Sequence, residues 1–150
     1  MSQQNPQGQI NIENDFSGRK DYLYRISIKA LIRNDIGNVL VVKETGRDWW
    51  DLPGGGMDHG EDIRSALARE LVEEINLTGS FAYKIIAVEE PAHLTTRDIY
   101  QIRLVFEVKP ENLNVSNGED GDEIKFINPA SLEHSDIKRE RQVFEYSKIS

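Results

Sequence analysis

One helical pattern with strand patterns on both sides of it is the feature that most constrains the fold of this chain. From Asp62 to about Ile75, apolar residues recur every three or four positions, which predicts a helix with one apolar stripe. The stripe consists of Leu67, Leu71, Val72 and Ile75. Because only one face of such a helix is apolar, the helix must pack against another layer of structure.

The segments around this helix alternate in the manner of half-buried strands. The stretch "YRISIKALI" (24–32) precedes the helix and "IYQIRLVFEV" (99–108) follows it, and apolar and polar residues alternate in both. The remaining pattern predicts a turn at 34–38, shorter strands at 39–42, about 80–89 and 124–127, and a final helix at 137–148. The sequence therefore favours an α/β fold, with a mixed β-sheet in a sandwich with helices.

The chain length suits one domain with a hydrophobic core, since it has 150 residues. Residues 1–20 are rich in Gln, Asn, Gly and Asp, a composition typical of a flexible segment. We therefore expect a flexible N-terminal arm at 1–20 and one folded domain at 21–150.

The net charge of −8 argues against binding to nucleic acid or to an anionic membrane through a basic surface. The chain has no cysteine, which excludes disulfides, thiolate zinc sites and cysteine nucleophiles. The start of the sequence lacks the apolar core of a signal peptide, and no apolar run approaches the length of a membrane span. These features predict a cytoplasmic protein that binds neither nucleic acid nor membrane.

Three glutamates crowd the C-terminal half of the predicted helix. Glu70, Glu73 and Glu74 are three and four residues apart, so their like charges repel one another on one face. If the helix ends near Asn76, they also lie near the negative end of its dipole. Acidic faces of this kind are usually solvated surface. Here, however, the acids border the apolar stripe. A divalent Mg²⁺ or Mn²⁺ ion, which prefers oxygen ligands, would offset both the charge repulsion and the unfavourable position in the helix dipole.

The stretch "PGGGMDHGED" (53–62) precedes this helix. A glycine run before a helix is typical of phosphate-binding loops. The P-loop pattern requires a lysine after its last glycine, whereas Glu61 and Asp62 stand there in this chain. Taken alone, the loop is a structural turn, although its carbonyl oxygens suit a hard cation. Residues 46–61 are predicted as loop, with at most a short strand at the two tryptophans.

The spacing of the loop and the acids resembles the signature of the Nudix hydrolase family. The pattern reads Gly55, five residues, Glu61, seven residues, and then "RELVEEINL" (69–77). The preceding "WDLPGG" (50–55) is similar to the family's lead-in. Asn76 stands where the family usually has glycine. That glycine fits a left-handed helix end, and asparagine is the next most tolerant residue there.

The resemblance implies a Nudix-type α/β/α sandwich that hydrolyses nucleoside diphosphates linked to another moiety, with Mg²⁺ or Mn²⁺ as cofactor. Arg69 would hold a glutamate in place by a charge-assisted hydrogen bond, and Glu61 would support the site without binding the metal. The metal ligands implied by position are the catalytic carboxylates Glu70, Glu73 and Glu74, with the backbone carbonyl of Gly54 or Gly55.

The general base is left open by the resemblance. Glu70 serves in some family members, whereas many others bring a further acid from a downstream loop. In this chain the dense acidic loop contains Glu119, Asp120, Asp122 and Glu123. Glu123 is our first choice because it adjoins a predicted strand, and Glu119 is the second. A plain solvated turn is the alternative interpretation of this loop.

The substrate is also left open. A nucleotide sugar, an ADP-ribose-like compound and a modified nucleoside triphosphate are all admissible small-molecule substrates. Trp50 fits the family's packing tryptophan, while Trp49 is a candidate for stacking on a base. The alternatives are a nucleotide-binding sensor without activity, which typically loses signature glutamates that this chain keeps, and an acidic interaction module. Homodimers are common in the family, but the sequence does not reveal an interface.

Overall fold

The computed structural model describes residues 2–4, 9–12, 20–119 and 121–149. The strands are β1 (Ser2–Gln4), β2 (Gln9–Ile12), β3 (Asp21–Tyr22), β4 (Tyr24–Leu31), β5 (Val39–Glu44), β6 (Gly54–Gly56), β7 (Phe81–Val88), β8 (Ala92–Leu94), β9 (Ile99–Pro110) and β10 (Gly121–Ile127). The helices are α1 (Ile63–Ile75) and α2 (Lys138–Ser147), with a 3₁₀ turn at Pro129–Leu132.

The central sheet has the strand order β6-β4-β9-β7, and β8 also pairs with β9. β4 and β9 run parallel, whereas the other pairings in this sheet are antiparallel, so the sheet is mixed as predicted. β5 and β10 form a second, antiparallel ladder. The predicted turn at 34–38 joins β4 to β5, and the Leu40 amide donates to the Ile32 carbonyl at 2.9 Å beside it.

A separate hydrophobic core lies on each face of the sheet. On one face, α1 packs its buried apolar residues against alternate residues of β4, among them Ile28 and Ala30. On the other face, Leu31 of β4 and Val105 of β9 pack with Val143 of α2. This arrangement is the α/β/α sandwich that the sequence predicted.

Both faces of the central strands are buried, which corrects the prediction of half-buried strands. In β4, Ser27 and Lys29 are each 4% exposed, and in β9, Arg103 and Glu107 are 4% and 7% exposed. The second face is covered because the C-terminal helix packs on it. Charged side chains on that face pair with one another instead of with water, as Lys29 and Arg103 do with Asp51.

Two details of the predicted helix and loop also differ. Val72 is 44% exposed, so it does not belong to the buried stripe, and Glu74 lies on the buried face instead. The short strand predicted at the tryptophans is instead β6, which begins four residues after Trp50, while Asp51 forms an isolated bridge with Val42. Successive side chains on an α-helix are rotated by about 100° around its axis, so Val72 and Leu71 cannot both lie on one narrow face.

A side chain caps the N-terminus of α1, and a left-handed residue ends the helix at its C-terminus. The Asp62 carboxylate accepts from the Ser65 amide at 2.8 Å at the N-terminus. At the C-terminus, Asn76 has φ 52° and its amide donates to the carbonyls of Leu71 and Val72. The structure thus confirms that Asn76 occupies a left-handed helix end, the place where glycine is most easily accommodated.

The predicted N-terminal arm lies partly outside the described residues. Of its described parts, β1 pairs with β2, and β2 pairs with β3. The division into an arm at 1–20 and a domain at 21–150 stays a prediction. In the part of the chain that the structure describes, no helix is both long and apolar enough to cross a membrane. The cytoplasmic location likewise stays a prediction.

Residues 116–118 cover the C-terminal end of α1, and this contact generates a test of the packing. The amides of Ser116 and Gly118 donate to the carbonyls of Ile75 and Glu74 at 3.0 and 2.9 Å. A Cβ on Gly118 would lie 2.1 Å from the Glu73 carbonyl oxygen. Gly118→Ala should therefore displace this segment and leave helix carbonyls without donors.

We expect Gly118→Ala to lower the free energy of unfolding by about 1–3 kcal/mol, seen as a fall in Tm of roughly 3–10 °C. Asn114→Ala, at an exposed position two residues before this segment, is the matched control and should change Tm little. Equal Tm values for the two variants, measured by thermal denaturation, would show that the close approach of Gly118 to α1 is not needed.

Candidate active site

The strand β6 brings the glycine loop into direct contact with the acids of α1. The Gly54 amide donates to Glu74 Oε2 at 3.0 Å. At Gly55, an added Cβ would lie 2.7 Å from Glu70 Oε1. A side chain at this position would collide with the carboxylate, so glycine is what allows the loop to lie against the helix.

Arg69 connects the acids with the loop, because all three nitrogens of its guanidinium group donate hydrogen bonds. Nε and Nη2 donate to the two Glu61 oxygens at 2.7 and 2.8 Å, and Nη2 also donates to the Gly56 carbonyl at 2.9 Å. Nη1 donates to Glu70 at 3.0 Å and to Glu73 at 3.2 Å. The Arg69 hydrogen bonds hold the pKa of Glu61 down at about 2. A lysine could not reproduce this set of planar contacts.

Two of the three signature glutamates are buried. Glu70 and Glu74 are 7% and 3% exposed, and burial raises the pKa of both carboxyl groups. For Glu74 the loss of hydration outweighs the opposing charge of Lys29 and the Gly54 hydrogen bond, and the pKa rises to about 8. Glu73 is half-buried, with 39% of its side chain exposed. The acids are therefore not a solvated surface.

Lys29 is a buried cation beside this cluster that the sequence analysis did not select. Its Nζ donates to the carbonyls of Gly54 at 3.0 Å and Leu52 at 3.3 Å. It also lies 3.5 Å from Asp51 and 3.7 Å from Glu44. The Gly54 carbonyl, one of the two that the resemblance implies as a metal ligand, thus already accepts a hydrogen bond from Lys29.

The acidic loop predicted to carry a base is only partly described. Asp120 lies outside the described residues, as does the side chain of Asp122. Glu119 and Glu123 are exposed. In the ladder between β5 and β10, Glu123 faces Lys43 and Gly121 faces Glu44. Partners across a ladder share a face, so Glu123 and Glu44 lie on opposite faces.

Glu44 is the further carboxylate that the structure places close to the signature glutamates. It lies 3.7 Å from Lys29 and forms an ion pair with Arg47 at 2.9 Å, and its charge contributes to the raised pKa of Glu74. A single acid in "VVKETG" carries no motif, so the sequence offered no signal for it. The role predicted for Glu123 stays a prediction.

A cavity of about 430 Å³ lies next to the glycine loop. Gly55 and Gly56 form part of its wall, together with Trp49. Its charged lining consists of two acidic residues, Glu44 and Asp51, and six basic ones, Arg25, Lys29, Arg47, Arg97, Arg103 and Arg139. This basic cavity therefore has the opposite charge to the protein as a whole, whose net charge is −8. It is suited to a ligand with several negative charges.

The donor groups of the site bear on whether it can hold a divalent metal. Within the described residues, no three His, Cys, Asp or Glu side chains are already arranged as a metal site. Glu70 and Glu73 accept hydrogen bonds from Arg69, and Glu74 accepts one from the Gly54 amide. The donor types nevertheless fit Mg²⁺ or Mn²⁺, which take carboxylate and carbonyl oxygens. Burial also fits, since a cation would favour the charged forms of Glu70 and Glu74. The residues are compatible with the metal in chemistry.

The comparison with known families agrees with this geometry. A family profile described as NUDIX domain matches residues 23–146. The chain belongs to this family. The Nudix signature therefore lies in a matched region that covers most of the chain, and the family expectation from the sequence is confirmed.

The curated relatives that match this Nudix chain include RNA pyrophosphohydrolases. The one from Haemophilus ducreyi (strain 35000HP / ATCC 700724) is 41% identical over 64 residues, which cover 43% of this chain and 30% of that protein. The one from Ruthia magnifica subsp. Calyptogena magnifica is 44% identical over 71 residues, 47% of this chain and 38% of that protein. The chain thus spans about a third of the length of these relatives.

Solved structures resemble the Nudix chain over most of its length. The MutT protein from Methanosarcina mazei Go1 has a TM-score of 0.68 and 26% identity, covering 83% of this chain and 92% of that one. The E. coli dihydroneopterin triphosphate pyrophosphohydrolase has a TM-score of 0.63 and 19% identity, covering 82% and 95%. The second likeness shows the fold alone. Both support the α/β/α sandwich.

Burial of Glu74 predicts how the stability of the metal-free protein depends on pH. The pKa of Glu74 is about 8 in the folded protein, above its ordinary value of 4.5. Folding therefore favours the neutral acid, and its stabilising contribution, complete below pH 4.5, is lost as pH rises through 8. Glu74→Gln is neutral at every pH and keeps an oxygen for the Gly54 amide.

In the presence of a chelator, we expect Glu74→Gln to be more stable than the wild type at pH 8, by several degrees in Tm. The difference should shrink as pH falls towards 5. Glu145→Gln, which removes an exposed carboxylate on α2, is the control for the change in net charge. Parallel curves of Tm against pH for wild type and Glu74→Gln would contradict the effect assigned to burial.

Proposed function

We propose that this Nudix protein is a metal-dependent pyrophosphohydrolase that cleaves the diphosphate linkage of a nucleoside diphosphate derivative. The substrate would be a nucleotide sugar, an ADP-ribose-like compound or a modified nucleoside triphosphate, attacked by water at phosphorus. One observation carries the proposal: Gly55 forms part of the wall of the basic cavity and also lies against the Glu70 carboxylate, where an added Cβ would be 2.7 Å from Glu70 Oε1. An anionic diphosphate in the cavity would lie next to the groups suited to a metal.

The basic residues of the cavity would bind and orient the phosphate oxygens. Guanidinium groups such as those of Arg25 and Arg97 form bidentate hydrogen bonds with phosphate. Lys29 and Arg103 are fixed in position by buried ion pairs with Asp51. Charges that are already in place when the reaction begins stabilise the transition state without reorganisation.

The proposed metal ligands are Glu70, Glu73, Glu74 and the backbone carbonyl of Gly54 or Gly55. The chemistry that a bound Mg²⁺ or Mn²⁺ ion supplies is neutralisation of phosphate charge and activation of water. Arg69 would hold the carboxylates of Glu70 and Glu73 in orientation, and Glu61 would in turn fix Arg69. The protein part of the mechanism is thus a rigid set of oxygen ligands next to a rigid set of cations.

Hydrolysis of a pyrophosphate linkage on RNA is a second candidate. The relatives named RNA pyrophosphohydrolase are 41% to 44% identical over their matched segments. Net charge alone argued against a nucleic-acid partner, but the basic cavity is a local exception to that charge. A non-catalytic sensor is less favoured because all signature glutamates are present.

The decisive experiment is product analysis over a panel of substrates with Mg²⁺, with Mn²⁺ and with a chelator. The panel contains a nucleotide sugar, ADP-ribose, a modified nucleoside triphosphate and a 5′-triphosphorylated RNA. We expect turnover with metal, none with chelator, and a loss of about 100-fold or more in kcat for Glu74→Gln. Millimolar metal should also raise the Tm of the wild type, and less so that of the variant. Undiminished turnover of Glu74→Gln, or no effect of metal on Tm, would overturn the proposal.

The general base is addressed by a second set of variants. Alanine is introduced separately at Glu119, Asp120, Asp122 and Glu123, and glutamine at Glu44. A base contributes roughly 10²- to 10⁴-fold, so we expect one loop variant, first Glu123→Ala and second Glu119→Ala, to lose kcat by that factor with little change in KM. If all four loop variants keep normal turnover, the base is not in the loop, and Glu70 and Glu44 remain.

A further inference from the structure

Lys29 lies where the acid cluster of α1 meets the basic cavity. Its side chain is 5% exposed, and its Nζ donates to the Gly54 carbonyl at 3.0 Å. The amide of the same glycine donates to Glu74 Oε2, also at 3.0 Å. One residue of the glycine loop therefore connects the ammonium group of Lys29 to a buried carboxylate of the helix.

The charge of Lys29 stabilises the carboxylates of the metal-free protein. Burial raises the pKa of both Glu74 and Glu70, and positive charge nearby opposes the rise. For Glu74 the main opposing charge is that of Lys29. For Glu70 the guanidinium of Arg69 has the larger effect, and Lys29 adds to it. Lys29 thus performs part of the electrostatic task that a bound metal ion would perform.

A divalent metal and Lys29 would use the same oxygen and the same negative charge. Oxygen ligands lie about 2.1 Å from Mg²⁺, so an ion on the Gly54 carbonyl would be at most about 5 Å from an Nζ that kept its 3.0 Å hydrogen bond. Two cations this close repel each other strongly out of water. We propose that Lys29 is a built-in competitor of the metal, which stabilises the metal-free site and lowers its affinity for Mg²⁺. This inference rests on the proposed function, because it assumes the metal ligands named there.

The ammonium group has other partners that it can keep when a metal binds. Its Nζ lies 3.5 Å from Asp51 and 3.7 Å from Glu44, and it donates to the Leu52 carbonyl at 3.3 Å. Loss of the hydrogen bond to Gly54 would therefore not leave a buried charge unpaired. The competition needs only a small movement of Nζ away from the loop, with Lys29 still in the wall of the basic cavity.

A purely structural role for Lys29 is the alternative. Its ion pair with Asp51 is buried, and Asp51 also pairs with Arg103 at 2.9 Å. Removal of Lys29 should therefore destabilise the protein under either interpretation. The two interpretations differ in the sign of the effect on metal binding. A loosened site would bind metal more weakly, whereas a site freed of a competitor would bind it more tightly.

Calorimetric titration with Mg²⁺ alone, without nucleotide, tests the competition. Lys29→Met keeps the length of the side chain but has neither charge nor donor, and Lys29→Arg keeps the charge. We expect Lys29→Met to bind Mg²⁺ at least about tenfold more tightly than the wild type, because one nearby positive charge is removed. Lys29→Arg should bind no more tightly than the wild type. Loss of the ammonium group also favours a proton on Glu74, but a divalent ion has twice the charge of a proton, so the metal gains more.

Arg97→Gln is the matched control for the loss of one positive charge from the basic cavity. Arg97 lines this cavity from the turn between β8 and β9 and is exposed. Because solvent and salt screen an exposed charge, Arg97→Gln should change the affinity for Mg²⁺ by less than about threefold. An increase as large as that of Lys29→Met would show that the charge of the cavity as a whole, and not the contact of Lys29 with Gly54, determines metal affinity.

Thermal denaturation gives a second readout. In a chelator, Lys29→Met should melt several degrees below the wild type, because Asp51 and Glu44 lose a partner. Saturating Mg²⁺ should raise the Tm of Lys29→Met more than that of the wild type, since the variant binds metal more tightly. Lys29→Gln loses the charge but can still donate hydrogen bonds, and it should show the same direction of change if Lys29→Met does not fold.

The outcomes separate this inference from the proposed function. If the wild type binds Mg²⁺ and the neutral variants at Lys29 bind it equally or more weakly, the competition is refuted while the proposed function stands. Tighter binding by these variants, together with no turnover of any panel substrate by the wild type, would support the competition and refute the proposed function. If neither the wild type nor the variants bind Mg²⁺ at millimolar concentration, both proposals fail.

Discussion

Two carboxylates lie out of water on one face of α1, and the surrounding residues are arranged around that unfavourable burial. Glu70 and Glu74 carry raised pKa values because hydration is lost. The loop can lie against them because Gly55 has no side chain to collide with Glu70. Arg69 and Lys29 then supply positive charge from the helix and from the central strand. Removing one partner of a buried charge is far more costly than removing a surface pair, so these residues act as a unit.

The distribution of charge matters more here than its sum. The net charge of −8 is a sum over the whole chain and would by itself repel small anions. The basic cavity reverses this sign locally, with six basic residues against two acidic ones. In the proposed function, an anion would bind between cations such as Arg103 and Lys29, which are themselves anchored by Asp51. The cations of the basic cavity and the acidic residues of α1 can therefore lie close together as two separate groups of charge.

The sequence predicted the parts of this site that lie on one continuous motif, and missed those that long-range packing brings in. The left-handed end at Asn76 was expected from the resemblance, and local spacing placed the acids at the border of the apolar stripe, but it did not predict that Glu70 and Glu74 are buried. Alternation predicts that Lys29 and Arg103 lie on the solvent side of half-buried strands, because it cannot tell whether the second face of a strand is covered. The packing of α2 covers that face, so these cations became buried members of the site. Glu44 carries no pattern of its own, and its position follows from strand pairing alone.

The second helix is connected to the glycine loop through charged contacts. Arg139 of α2 pairs with Glu89 and lies 4.0 Å from Asp51, which in turn contacts Lys29 beside the Gly54 carbonyl. A continuous series of charged contacts thus runs from α2 to the loop that carries the proposed metal ligands. Because Arg139 and Lys29 are held by these contacts before a ligand binds, they would stabilise phosphate charge without reorganisation.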